Sequence, residues 1–232
     1  MTYTVIARCA RTGQLGIGIA TYSLAVGGYC PAIRGGLGIV STQAFVNPKL
    51  GNLALRLMDL GYSPHKVMSE LAADDPQFNY RQVGIVNAEN AIAVHTGSNT
   101  RSWAGHLTGE GYIVMGNVLA GEEVLQAMAE TFEKHEQADL NERLLCSVEA
   151  GRDAGGQVTA DGVHLNERSA AVITHGHRDF GHIDLRVDAN EAAVDELRRV
   201  HDIYKPFIPY YEMRHHCPQD TPAQDVWARD NL

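Results

Sequence analysis

Two hydrophobic periods share this chain, and they are segregated along it. Period-two runs come first: YTVIA, a turn at Thr12-Gly13, LGIGIATYS, and, past the glycine-rich VGGYCPAIRGG, LGIVSTQAF. Helical spacing then takes over. Asn47-Pro48 supplies an N-cap and a first-turn proline, and Leu50, Leu53, Ala54, Leu57 and Leu60 form an apolar face that ends at Gly61. Ser63-Pro64 starts a second helix carrying Val67, Met68 and Leu71, which stops before Pro76. Strand signals return in RQVGIVNAENAIAVHTG, with its turn at Ala88 to Asn90, and in GYIVMGNVL. Another helix pair follows: EEVLQAMAETF, with Val124, Leu125, Met128 and Phe132 on one side, and LNERLLCSVEAG, where Asp139 and Glu142 have capping-box spacing. SAAVITHGH and HIDLRVD read as the last strand pair, before a helix in EAAVDELRRVHDIY.

Strict alternation of strand and helix would build a parallel sheet; strands in runs and helices in pairs argue for antiparallel sheets with helices grouped on their outer faces. The expected fold is α+β, a four-layer αββα sandwich of two antiparallel sheets flanked by helices. One domain is expected over residues 1–204. Residues 205–232 are proline-rich and carry no period, so they are expected to form an extended arm. Its FIPYY stretch would expose aromatic rings unless it lay on something, and a second subunit is the expected cover, making a homo-oligomer.

The net charge of −9 leaves no basic stripe for neutralising phosphates, which excludes a nucleic-acid partner. No apolar run is long enough to span a bilayer, so no membrane partner is expected. MTYTVIARCART has none of the features of a secretory signal. Cys9, Cys30, Cys146 and Cys217 are scattered without a CxxC pair, which suits reduced thiols and a cytoplasmic location. No phosphate-cradling or dinucleotide-binding glycine motif occurs, and no cofactor is expected.

Several residues could carry chemistry. Thr2 is either an ordinary strand residue or, once Met1 is removed, a nucleophile whose own α-amine serves as its base. That amine ordinarily titrates near roughly 8 and needs no histidine to help it. THGHRDFGH places His175, His177, Asp179 and His182 close together, one residue short of a metallohydrolase pattern because Phe180 stands where the last ligand belongs. His215-His216-Cys217 is a weaker cluster, since adjacent side chains diverge. Ser41, Thr42 and Gln43 stand where a buried strand runs out before a helix; they either line a cleft mouth or satisfy an ordinary junction. Trp103 and His106 lie in a polar stretch, where they either wall a small ligand or fill a satellite cluster.

Taken together, TYTVIAR, GQLGIGIAT, AVGGYCPAIRGGLGIVSTQAFVNPKLG, RQVGIV, WAGHLTGEGYIVMGN, ERLLCSVEAGRDAGG and IDLRVDANEAAVDELRRV resemble a bacterial family known as domain of unknown function 1028, over residues 2 to about 202. That family is similar to the N-terminal-nucleophile hydrolases, whose fold is the αββα sandwich and whose first mature residue attacks an amide carbon. The resemblance implies Thr2 as nucleophile, Arg34 as the cation that keeps it poised, and Ser41–Gln43 as the oxyanion turn. Trp103, His106 and Asn117 would shape a pocket for a small-molecule or peptide-like substrate. The departures are definite. Ala20, Thr21 and Tyr22 offer no acid at the end of the second strand, Arg34 replaces a lysine, Gln157 stands where aspartate is common, and a retained Met1 would deprive Thr2 of its free amine. Amide hydrolysis is therefore the leading expectation. A catalytically silent oligomeric or ligand-binding scaffold is the alternative, and a metallohydrolase using the histidine cluster is the third.

Overall fold

The computed structural model describes residues 1–176 and 182–232. In chain order, β1 (Thr2–Arg8) and β2 (Leu15–Thr21) form a hairpin, as do β3 (Pro31–Arg34) and β4 (Gly38–Ala44). Helices α1 (Pro48–Asp59) and α2 (Pro64–Asp74) follow, then hairpins β5 (Arg81–Asn87) with β6 (Ile92–Thr96) and β7 (Ala104–Gly109) with β8 (Tyr112–Asn117). Helices α3 (Glu122–Lys134) and α4 (Leu140–Asp153) precede a short ribbon, β9 (Gln157–Val158) and β10 (His164–Leu165). β11 (Ser169–His175), β12 (Ile183–Val187), α5 (Ala193–Tyr204), α6 (Ile208–His216) and α7 (Gln224–Asn231) complete the chain.

The strands form a six-stranded sheet in the order β12-β11-β2-β1-β8-β7 and a four-stranded sheet in the order β3-β4-β5-β6, and the pairings within both are antiparallel. Three apolar layers hold four structural ones together. One fills the space between the sheets, around Ile6, Ile17, Ile39 and Ile113. The second joins the six-stranded sheet to α3, α4 and α5 through residues such as Tyr3, Met128 and Leu144, and the third joins the four-stranded sheet to α1 and α2 through Val40, Leu50 and Leu71. The αββα sandwich follows directly from strands that bury both faces. Among the described residues, no helix is long and apolar enough to cross a membrane.

LGIGIAT shows how this packing is written in the sequence. Leu15, Ile17 and Ile19 point between the sheets, whereas Gly16 and Gly18 face α4. A Cβ on Gly18 would lie 2.7 Å from the carbonyl oxygen of Leu144, so the helix rests almost on bare backbone.

Several expectations need correcting. Leu60 is 75% exposed, and the buried face of α1 is Leu50, Gly51, Ala54 and Met58 instead. Asp139 caps α4 without a side-chain bond, and the reciprocal half of the capping box is also missing, because Glu142 is turned away to Arg198 (2.7 Å) and Lys205 (3.1 Å). The polar stretch that holds Trp103 and His106 includes an edge strand, β7. Residues 205–232 are helical in α6 and α7, not extended. Phe207 and Tyr210 meet Trp227 in tilted contacts at centroid distances of 5.9 and 5.3 Å, and Ile208 packs against the helix-side core. Of the rings that suggested a second subunit, Tyr210 is buried by its own chain and Phe207 and Tyr211 are half-buried.

Candidate active site

Between the sheets, polarity changes along every central strand in the same direction. The inward residues of β1 run Ile6, Thr4, Thr2; those of β8 run Ile113, Met115, Asn117; and those of β4 run Ile39, Ser41, Gln43. β2 ends its apolar run at Thr21, and β5, running the opposite way to β4, begins its own beside Gln82. Register aligns these ends, with Thr2 opposite Asn117, Gln43 opposite Gln82 and Thr21 opposite Ser169. Apolar packing therefore gives way to a buried polar patch beside the chain start.

The patch is bonded across the gap. The Thr4 hydroxyl donates to Gln43 Oε1 (2.6 Å), and Gln43 Nε2 donates to Gln82 Oε1 (2.8 Å). Gln82 Nε2 donates to the carbonyls of Gly116 (2.9 Å) and Gly105 (3.0 Å), and also meets Thr96 Oγ1 (2.9 Å). Asn117 Nδ2 donates to Gln82 Oε1 (3.1 Å), while Asn117 Oδ1 accepts from the Met1 amine (2.6 Å). Gln82 is thus the hub, satisfied on both its oxygen and its nitrogen. That satisfaction is what makes a fully buried amide tolerable.

Thr2 begins β1 and is 6% exposed. Its hydroxyl donates to the Met1 carbonyl oxygen (2.5 Å) and lies 3.3 Å from Thr21 Oγ1; the Thr21 hydroxyl donates to the same Met1 carbonyl. Burial lowers the pKa of the Met1 amine to about 6, and the nearby Arg101 charge adds to the fall, while Cys30 opposes it. Two clefts adjoin Met1. The larger, about 380 Å³, is lined by Thr100, Arg101, Ser102, Val118 and Thr159; the smaller, about 140 Å³, by Ser23, Ala44, Phe45, Arg101 and Asn117. Backbone strain is concentrated here. Val118 has φ 58° and Ala44 has φ 69°, a left-handed conformation that a β-branched residue rarely adopts and that gathers at functional sites.

Of the residues the sequence pointed to, Thr2, Gln43 and Asn117 are brought together. Ser41 and Thr42 lie within β4, not at a turn. The Thr42 N–H already donates to the Cys30 carbonyl (3.0 Å), and the Ser41 hydroxyl is buried without a partner. Arg34 is not the site's cation. It pairs with Gly38, at the far end of β4 from cleft-lining Ala44, a separation of roughly 20 Å at strand rise, and its guanidinium binds Asp59 (2.8 Å). The cation that acts on the chain start is Arg101, behind burial and the opposing Cys30 in size. Trp103 is half-buried and packs against the helix-side core. His106 is exposed and joins the network from outside, its Nδ1 2.9 Å from Thr96 Oγ1. Thr21 takes the place where an acid was expected. Sequence reasoning missed Gln82, Thr21 and Arg101. Only Gln82 left a usable signal, a polar side chain in phase with Gly84 and Val86 in an otherwise apolar run.

Within the histidine cluster, His177 and Asp179 lie outside the described residues. His182 Nδ1 is 3.1 Å from Glu212 Oε1. Among the described residues, no group of three or more histidine, cysteine or acidic side chains is placed to hold a metal ion.

A crystal structure of a protein from Silicibacter pomeroyi assigned to DUF1028 matches with TM-score 0.79 and 25% identity, covering 88% of this chain and 86% of that one. Anbu (ancestral beta-subunit) from Yersinia bercovieri aligns at TM-score 0.41 with 10% identity, over 87% of this chain and 93% of that one. An Anbu mutant from Hyphomicrobium sp. strain MC1 aligns at 0.43 with 11% identity, over 88% and 95%. No curated protein matches by sequence. The model of a family of unknown function, DUF1028, matches residues 2–197, and the chain belongs to that family.

Proposed function

We propose that the chain is an amide hydrolase acting on a small or peptide-like substrate, with Thr2 as its nucleophile once Met1 has been removed. The observation that carries this reading is the gathering of the polar ends of five strands around the chain start, where Thr2 is buried, beside two clefts and strained backbone. The freed Thr2 amine takes the hydroxyl proton as Oγ1 attacks the amide carbon, and it returns that proton to the leaving nitrogen. The Thr21 hydroxyl, which now holds the Met1 carbonyl oxygen, is the donor available to the developing oxyanion. Water then hydrolyses the ester on Thr2 and regenerates the hydroxyl.

The test is a chain begun at Thr2 by cleavage of a fusion and challenged with an amide-mimicking electrophile. Intact mass should show one adduct, lost in Thr2→Ala and kept in Thr2→Ser. Labelling should rise with pH as the freed Thr2 amine loses its proton, and stay level once it is neutral. Labelling that survives Thr2→Ala sinks the reading. The way Met1 is held, amine on Asn117 and carbonyl on Thr21, favours a second reading in which the retained residue closes a silent scaffold. A native chain whose mass keeps Met1 supports that one.

A further inference from the structure

We infer that the substrate carries a carboxylate close to the amide that is cleaved, and that Arg101 receives it; this rests on Thr2 being the nucleophile. Arg101 lines both clefts beside Met1, and no aspartate or glutamate lines either one. Arg34, Arg81, Arg152, Arg198 and Arg199 each meet a carboxylate. Arg101 is exposed and, among the described residues, has no carboxylate within 4.0 Å, in a chain whose net charge is −9. Arg101 is the charged side chain common to both clefts, with the Asp161 carboxylate bonded to Thr159 at the edge of the larger one.

The arginine is also held there. Its carbonyl accepts from the N–H of Val118 (3.3 Å), the residue strained at φ 58°, and its guanidinium lies 5.4 Å from the centroid of the Phe45 ring. Its charge already acts on the Met1 amine, so it is within electrostatic reach of the position where an amide would be attacked. Ser102 adds a hydroxyl to the same wall, whereas the Thr100 and Thr159 hydroxyls already donate to the Gly97 carbonyl and the Asp161 carboxylate. A planar guanidinium with open donors suits a carboxylate, which it can grip with two parallel bonds.

The experiment separates recognition from chemistry. A Thr2→Ala chain begun at residue 2 is titrated calorimetrically, at low salt, with acetyl-glycylglycine and with its C-terminal carboxamide. These share the same internal amide and differ only in the charge. The acid should bind about tenfold more tightly, as expected of one charge-assisted contact, and Arg101→Gln should erase the difference. High salt should narrow it, because the site is open to solvent. Equal binding of the two peptides, no binding of either, or a preference that persists in Arg101→Gln overturns the inference. Failure of the nucleophile reading shows separately, as a missing adduct on Thr2 in a chain that still prefers the acid.

Discussion

Between the two sheets, the end built from Ile6, Ile17, Ile39 and Ile113 is held by shape, whereas the end built from Thr4, Gln43, Gln82 and Asn117 is held by directional bonds. Both ends are buried to the same degree, and both contribute to keeping the sheets together. The apolar end can be filled by any side chains of suitable volume, since dispersion and water exclusion ask nothing about orientation. The polar end has no such tolerance, because each amide must find a partner at the right angle or bear the full desolvation penalty. A sandwich needing only stability could have been apolar throughout. That this one changes character beside Thr2 separates the part that folds the chain from the part that positions a hydroxyl.

The largest expected effect lies at the apolar end. Ile17→Ala removes a fully buried side chain and should lower unfolding stability by about 3–4 kcal/mol in denaturant melts, while the rate of Thr2 labelling in the surviving folded protein stays unchanged. A matching fall in labelling would show that the two ends are not separable. Gln82→Leu comes next. It takes the acceptor from Gln43 and Asn117 and the donor from two carbonyls, for a loss of about 2–3 kcal/mol. Here labelling should drop at least tenfold, because Asn117 loses the group that orients it; normal labelling would reduce the network to a structural device. Smallest is Ser41→Ala. This hydroxyl is buried without a bond, so stability should change by under about 0.5 kcal/mol or improve. A clear destabilisation would mean that Ser41 has a partner after all, and would move the boundary between the two ends along β4.

How far the sequence could be read follows from the same contrast. The hairpins, the paired helices and the four-layer order were legible because periodicity survives burial; Val124, Leu125, Met128 and Phe132 all face the core as their spacing predicts. Thr2, Gln43 and Asn117 could be named individually, yet their connection could not, since Gln82 joins them only after strands distant in sequence are set in register. Motif order points to Arg34 as the cation, but the β3–β4 register sets it beside Gly38, at the far end of β4 from the chain start. Arg101 sits in an irregular segment that no period marks. The helices after Tyr204 were hidden by prolines, which here occupy first turns, where a missing N–H does no harm.

The bare stretch of β2 at Gly16 and Gly18 has one more consequence. With no side chain between them, strand and α4 have almost no slack in which to slide, so the helix acts as a keel for the strand. Thr21 lies three residues further along that strand, and its grip on the Met1 carbonyl inherits the stiffness. Two small residues on the far face of the sheet thereby help decide how steadily an oxygen is held on the near one.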